Sequence, residues 1–84
     1  MTDERKIEIF MKDGLTKSDA KKYLKNDSII FEDFEENFNL YMKEWDVEEE
    51  DILLYRKMIE EKVPYPGWGI VEDDGQTYYI SYYS

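Results

Sequence analysis

The side chains of this sequence that could take part in chemistry are mostly carboxylates, and they are concentrated in one segment. Between Glu32 and Asp51 the chain carries ten acidic residues and a single basic residue, Lys43. Acid–base catalysis needs one carboxyl group with a raised pKa in a pocket, whereas these residues lie in runs typical of a solvated surface. We therefore expect no catalytic residues and no enzymatic activity. A concave site around a perturbed Asp or Glu would instead indicate an enzyme.

The composition also argues against metal and cofactor sites. The chain contains no cysteine and no histidine, which excludes zinc sites built from these ligands as well as Ser-His-Asp and Cys-His catalysis. Residues 44–51 are acidic but lack the alternating ligands and the central glycine of an EF-hand loop. There is no glycine-rich phosphate loop. We expect no metal and no cofactor.

The charge distribution predicts a basic protein partner. The net charge is −10, and residues 26–84 carry sixteen acidic and four basic side chains. Such a field favours encounter with basic partners and opposes direct contact with nucleic acid or anionic lipid. Carboxylates three or four residues apart on a helix lie about 5–6 Å apart and can engage arginines of a nucleic-acid groove. The expected interface comprises Glu32, Asp33, Glu35, Glu36, Glu44, Glu48, Glu49, Glu50 and Asp51, with Tyr65 and Trp68 as aromatic anchors.

Two other interpretations of the charge remain open. The acidic residues could serve only solubility, with a partner bound through the edge of a β-hairpin or a tyrosine surface. Direct DNA binding could be argued from Arg5, Lys6, Lys12 and the lysines of residues 17–25, because two short helices joined by Gly14 resemble half of a helix-turn-helix. The overall negative charge opposes that second interpretation.

Two short helices are predicted in the first third of the chain. Thr2 or Asp3 can cap the first helix, and Gly14 is expected to end it as a C′ glycine. Thr16 is the predicted N-cap of the second helix, with Asp19 three residues later as in a capping box.

Two more helices are predicted in the acidic segment. Phe31, Phe34, Phe38, Tyr41 and Trp45 are spaced 3, 4, 3 and 4 residues apart, which predicts a third helix with its rings on one side facing the core. A fourth helix is expected to begin at Asp46 as the N-cap, with acidic residues in its first turns where the helix dipole favours them.

The C-terminal segment has the pattern of a β-hairpin. Pro64 and Pro66-Gly67 end the helical part, and Asp74-Gly75 is the preferred residue pair of a type I′ turn. That turn pairs Val71 with Tyr78 and Gly69 with Ile80. The last strand is then a candidate exposed edge, which a partner could extend.

Together these elements predict an α+β fold in which four short helices precede a C-terminal two-stranded antiparallel β-hairpin. We expect one domain, residues 1–84, with a helical part at about 3–62 and the hairpin at about 67–83. No segment has the length and apolarity of a membrane span or a secretion signal, and the expected location is the cytoplasm.

Three segments resemble a known group of proteins. MKDGLTKSDAKKYLKND, IIFEDFEENFNLYMKEW and WGIVEDDGQTYYISYY are together similar to small acidic proteins of unknown role encoded on mobile elements of Gram-positive bacteria. The resemblance carries over no catalytic residue. It implies a mobile-element setting, where by analogy small acidic proteins disarm host defence. The expected function is a non-enzymatic inhibitor that mimics nucleic acid and acts on a defence nuclease, such as a CRISPR effector or a restriction enzyme. The alternative is an accessory interaction module of a mobile element.

Overall fold

The computed structural model describes residues 1–26 and 28–82, and it consists of a three-stranded antiparallel sheet between two helical layers. The elements follow one another as α1 (Asp3–Lys12), α2 (Lys17–Lys25), β1 (Ile29–Phe31), α3 (Phe38–Glu44), α4 (Glu49–Glu61), β2 (Trp68–Asp73) and β3 (Gln76–Ser81). The strand order in the sheet is β1-β3-β2. The expected α+β class is confirmed, while the sheet has one strand more than the expected hairpin.

Local capping signals define α1 and α2 as the sequence predicts. The Thr2 and Thr16 side chains accept hydrogen bonds from the backbone N–H groups three residues later, at 3.1 and 3.2 Å. Gly14 follows the C-cap of α1 with φ +101°. Its N–H and that of Leu15 bond back to the carbonyls of Met11 and Phe10, which satisfies the last carbonyls of α1.

The hairpin has the register that its turn dictates. Val71 pairs with Tyr78 and Gly69 with Ile80, as predicted. Asp74 and Gly75 both have positive φ, +54° and +77°, as a type I′ turn requires.

The third strand corrects two expectations about the sheet. Ile29–Phe31 pairs antiparallel with β3, so Phe31 lies opposite Tyr79 instead of beginning a helix. The last strand is therefore the centre of the sheet and not its exposed edge; β1 and β2 are the edges. A two-stranded hairpin is marginally stable in water, and a third strand with a helical layer on each face supplies the missing burial.

The third and fourth helices differ from their predicted boundaries. Residues 32–37 form bends and turns, and α3 covers only seven residues. Asp46 is not the N-cap of α4, because its backbone adopts φ +51° and Glu48 takes the cap position. The rings of the predicted stripe still cluster around the sheet: Phe34 is stacked on Tyr41, with ring centroids 5.6 Å apart.

Each face of the sheet covers its own core. Alternation along β3 sends Tyr79 towards α3 and α4, while Tyr78 and Ile80 face α1 and α2. The first core contains Phe31, Phe34, Phe38, Met42, Met58, Trp68 and Tyr79, and the second contains Ile9, Phe10, Ala20, Val71, Tyr78 and Ile80. The sheet therefore separates two helical layers that differ in charge. Within the described residues, no helix has the length and apolar character that a bilayer crossing requires.

Candidate protein-binding surface

More than half of the acidic residues lie on one side of the sheet. We call residues 32–66, which contain α3, α4 and their connections, the acidic layer. It carries twelve acidic and four basic side chains, whereas residues 1–26 on the other side carry five acidic and seven basic ones. The negative charge of the protein is thus asymmetric in space as well as along the chain.

Six of the nine predicted interface carboxylates are exposed and unpaired. Among residues 1–26 and 28–82, no side-chain hydrogen bond or ion pair engages their carboxylates. They are Glu32, Glu36, Glu44, Glu48, Glu49 and Glu50. These six side chains have no described partner and are available to another molecule in solution, and we call them the free carboxylates.

Glu35 is instead bound by two partners of the same protein, although its side chain is exposed. Lys62 forms an ion pair with its carboxylate, and the Tyr79 hydroxyl donates a hydrogen bond to the same oxygen at 2.5 Å. The hydrogen bond from Lys62 holds the pKa of the Glu35 carboxyl below its usual range. Burial, reinforced by Glu35, raises the pKa of Tyr79 to about 12. Glu35 therefore joins the acidic layer to the sheet and has less charge to offer outside.

Asp33 and Asp51 also have internal partners. Asp33 accepts hydrogen bonds from the Asn37 amide at 2.7 Å and from the Tyr41 hydroxyl at 2.9 Å. Burial and this bond to Asp33 raise the pKa of Tyr41. Asp51 is half-buried and accepts a bond from the Tyr65 hydroxyl at 3.3 Å. Both carboxylates fix local structure, so their contribution to a partner surface is smaller than that of the free carboxylates.

Three residues of the acidic layer also stabilise α4 itself. Glu49, Glu50 and Asp51 occupy the first turn of α4. Negative side chains near a helix N-terminus each contribute about 0.3–1 kcal/mol through the helix dipole. This local role accounts for three acids, and it does not apply to Glu32 or Glu36, which lie outside any helix.

The two predicted aromatic anchors occupy different environments. Trp68 is only 8% exposed and stacks against Phe31, with ring centroids 5.7 Å apart, so it belongs to the core. Tyr65 is half-buried at the surface and packs on Tyr55 at 4.6 Å. Of the pair, only Tyr65 presents a substantial part of its side chain to a partner.

Exposed apolar side chains accompany the acids, and the spacing of the sequence did not indicate their exposure. Leu53 and Leu54 are 65% and 47% exposed, and Trp45, expected in the core, is 37% exposed. Leu54 also lines an open groove of about 250 Å³ with Val63 and Tyr65. The sequence contains no clear signal for this exposure, because adjacent residues such as Leu53 and Leu54 lie about 100° apart on a helix and can both fit within an apolar stripe of that width.

The opposite face of the sheet contains two polar clusters that join distant segments. Asp73 is paired with Lys12 and with Arg5, the latter at 2.5 Å, and these hydrogen bonds hold its pKa below the usual range. The Tyr82 hydroxyl donates to Asp13, and burial raises the pKa of both groups. These contacts position α1 on the sheet.

Neither the arrangement of the acidic side chains nor similarity to known proteins indicates a further function. Within the described residues, no group of three or more Asp or Glu side chains is arranged to hold a metal ion. No family model, no curated protein and no solved structure matches this chain.

Proposed function

We propose that this protein is a non-enzymatic inhibitor that binds the basic groove of a nucleic-acid-binding defence nuclease, such as a CRISPR effector or a restriction enzyme, in place of the nucleic acid. The observation that supports this proposal most directly is the set of six free carboxylates in a layer with twelve acidic and four basic residues. A groove that binds phosphates presents Arg and Lys side chains, and carboxylates engage these through charge-assisted hydrogen bonds.

The exposed apolar residues support protein binding in particular. Stable protein interfaces combine apolar anchors with a polar rim, and Leu53, Leu54 and Val63 offer such anchors inside the acidic layer. Contacts made by these residues would provide selectivity for one partner among many basic proteins, because charge alone attracts all of them.

The second candidate function is that of an interaction module that adds a partner strand to the sheet. It is favoured by the position of β2 as a six-residue edge strand. Strand addition depends on backbone hydrogen bonds and would weaken little with salt. The response to ionic strength therefore separates the two candidates.

The experiment measures DNA cleavage by purified guide-RNA-loaded Cas9 and Cas12 nucleases and by a type I restriction enzyme in the presence of this protein. Glu32→Lys/Glu36→Lys reverses two free carboxylates. Glu4→Lys/Glu72→Lys changes the net charge equally on exposed residues outside the acidic layer and is the matched control. Glu35 is left intact because it holds the layer to the sheet.

We expect the first variant to lose inhibition by at least about tenfold and the control to retain it. Inhibition by the wild-type protein should also fall by about tenfold or more as the salt concentration rises from low to physiological. Inhibition that survives the reversal of Glu32 and Glu36, or that is insensitive to salt, would exclude mimicry. Failure of the wild-type protein to inhibit any of these enzymes would exclude the defence-nuclease partner.

A further inference from the structure

Helix α2 presents a row of lysines on the side of the protein opposite the acidic layer. Lys17, Lys21 and Lys25 follow one another at intervals of four residues, so at 1.5 Å per residue the row is about 12 Å long. Lys22 lies beside the row. With Ser18, these four lysines line one open depression, and we call the five residues the lysine face.

The lysine face is not neutralised by the protein itself. All of its residues are exposed, and no ion pair connects any of its lysines to an acidic side chain in residues 1–26 or 28–82. Two cations of α1 in the same layer do have partners: Arg5 and Lys12 are both bound to Asp73. The positive charge of the lysine face is therefore available to a ligand.

The row of lysines does not stabilise the helix that carries it. Lys17 occupies the first position of α2, where the helix dipole disfavours a cation. Like charges four residues apart destabilise a helix by about 0.2–0.5 kcal/mol per pair. Only Lys22 and Lys25 lie in the last turn, where a cation is favourable. Helix stability alone thus fails to explain Lys17 and Lys21.

We propose that the lysine face binds the phosphate backbone of a nucleic acid strand. Protein interfaces are depleted in lysine and depend on aromatic or apolar anchors, and this face contains no apolar residue. Phosphate binding depends mainly on flexible cations, which is the chemistry present here. A stacked strand with the spacing of double-stranded DNA carries one phosphate per about 3.4 Å, so a row of about 12 Å spans three to four of its phosphates.

The net charge of −10 does not prevent this contact at physiological salt. The sheet lies between α2 and the acidic layer, and the smallest dimension of the molecule is 20 Å. The Debye length at physiological ionic strength is about 8 Å, so a strand on the lysine face is largely screened from the acids on the other side. The total charge therefore does not oppose nucleic acid at this face, because the three-layer fold places the acidic layer on the other side of the sheet.

The test is fluorescence anisotropy of a labelled single-stranded DNA of about 20 nucleotides, titrated with the full chain at several NaCl concentrations. Lys21→Gln/Lys25→Gln removes two charges from the lysine face. Lys43→Gln/Lys57→Gln removes two exposed charges from the acidic layer and is the matched control. Circular dichroism verifies that both variants remain folded.

We expect weak binding. The logarithm of the association constant should fall linearly with the logarithm of the salt concentration, with a slope of about −3, because four lysines each release about 0.7 counterions from a single strand. The magnitude of the slope should decrease to about 1.4 in the Lys21→Gln/Lys25→Gln variant and stay unchanged in the control. Equal weakening by both variants, or no binding at about 50 mM NaCl, would overturn the proposal. Displacement of the DNA by poly-glutamate at equal charge concentration would also overturn it, because the face would then be a site for acidic proteins.

Discussion

The Lys62 ammonium donates a hydrogen bond to the Tyr79 hydroxyl at 2.8 Å, which connects the end of α4 to the central strand of the sheet. Both groups also bind the Glu35 carboxylate, in the turn that precedes α3. Lys62 has φ +57°, a left-handed conformation that ends the helix and directs its side chain to this cluster. One buried tyrosine thus fixes two parts of the acidic layer against the sheet.

Tyr79→Phe tests this connection. Tyr79 is completely buried, so the substitution removes its hydrogen bonds with the charged Lys62 and Glu35 while it keeps the ring packing. We expect a loss of about 1–2 kcal/mol in the free energy of unfolding, measured by urea denaturation. Tyr55→Phe is the control, since the Tyr55 hydroxyl has no hydrogen bond to any described residue. Equal losses in the two variants would show that the Tyr79 cluster adds no stability.

The elements that the sequence predicted correctly are those with local signals. Thr16 caps α2 through a residue three positions away, and Asp74-Gly75 determines the whole hairpin register because its two positive φ angles leave one geometry. These contacts depend on neighbouring residues and are visible in a single sequence. Hydrophobic spacing also identified the rings of the acidic segment as core, apart from Trp45.

The elements that the sequence missed depend on distant partners. Phe31 continues a helical spacing pattern, but pairing with Tyr79, 48 residues away, makes it part of a strand. The same applies to the candidate site, where Glu35 is distinguished from Glu36 only by Lys62 and Tyr79. A pattern of spacing describes one element and does not determine which elements meet.

The close contact between Gly69 and Asp13 leads to a second prediction. A Cβ atom on Gly69 would collide with the Asp13 carboxylate and reach 3.0 Å from the Tyr82 ring. Gly69→Ala should therefore lower the free energy of unfolding by about 1–3 kcal/mol, the usual range for overpacking of a filled core. Thermal or urea unfolding gives the value.

A double-mutant cycle separates this collision from the general effect of alanine in a strand. Asp13→Ala removes the atoms that the new methyl group would meet, at the loss of the bond from Tyr82. We expect the Gly69→Ala/Asp13→Ala protein to be more stable than the sum of the two single changes predicts. Additive losses would show that the two residues are not coupled.

Asp73 leads to a prediction about acid stability. Hydrogen bonds from Lys12 and Arg5 hold its pKa in the folded protein below the value near 3.9 of an unfolded chain. Its stabilising effect is therefore present above pH 3.9 and is lost as the pH falls through the lower folded-state pKa. Asp73→Asn should be less stable than the wild type at neutral pH, and the difference should decrease as the pH falls through the folded-state pKa of Asp73.

Urea midpoints of both proteins between pH 7 and pH 2.5 measure that difference. Asp74→Asn is the control, because Asp74 is exposed in the adjacent turn and makes no ion pair with a described residue. Because Asp74→Asn removes a carboxylate without removing an ion pair to a described residue, it should lose less stability at neutral pH than Asp73→Asn does. A constant difference between Asp73→Asn and the wild type would mean that the pairs with Lys12 and Arg5 do not depend on the Asp73 charge.

The two tryptophans should respond differently to substitution and to quenching. Trp68 is 8% exposed and contacts Phe34, Tyr55 and Trp45, whereas Trp45 is 37% exposed at the edge of the same cluster. Trp68→Ala should lower the free energy of unfolding by about 3–5 kcal/mol, the range for truncation of a buried large aromatic side chain. That is a large part of the ~4–13 kcal/mol expected for 84 residues. Trp45→Ala should cost less, because part of its ring already contacts water.

Single-tryptophan proteins make the comparison without large cavities. Trp45→Phe leaves only Trp68, whose emission should be blue-shifted and poorly quenched by acrylamide, while Trp68→Phe leaves the more accessible Trp45. Trp68 is buried, so we expect it to affect partner binding only by stabilising the fold. Trp68→Phe should then weaken inhibition no more than its loss of stability explains. A folded Trp68→Phe protein that has lost inhibition while the free carboxylates remain intact would instead make Trp68 a direct contact, in conflict with its buried position against Phe31.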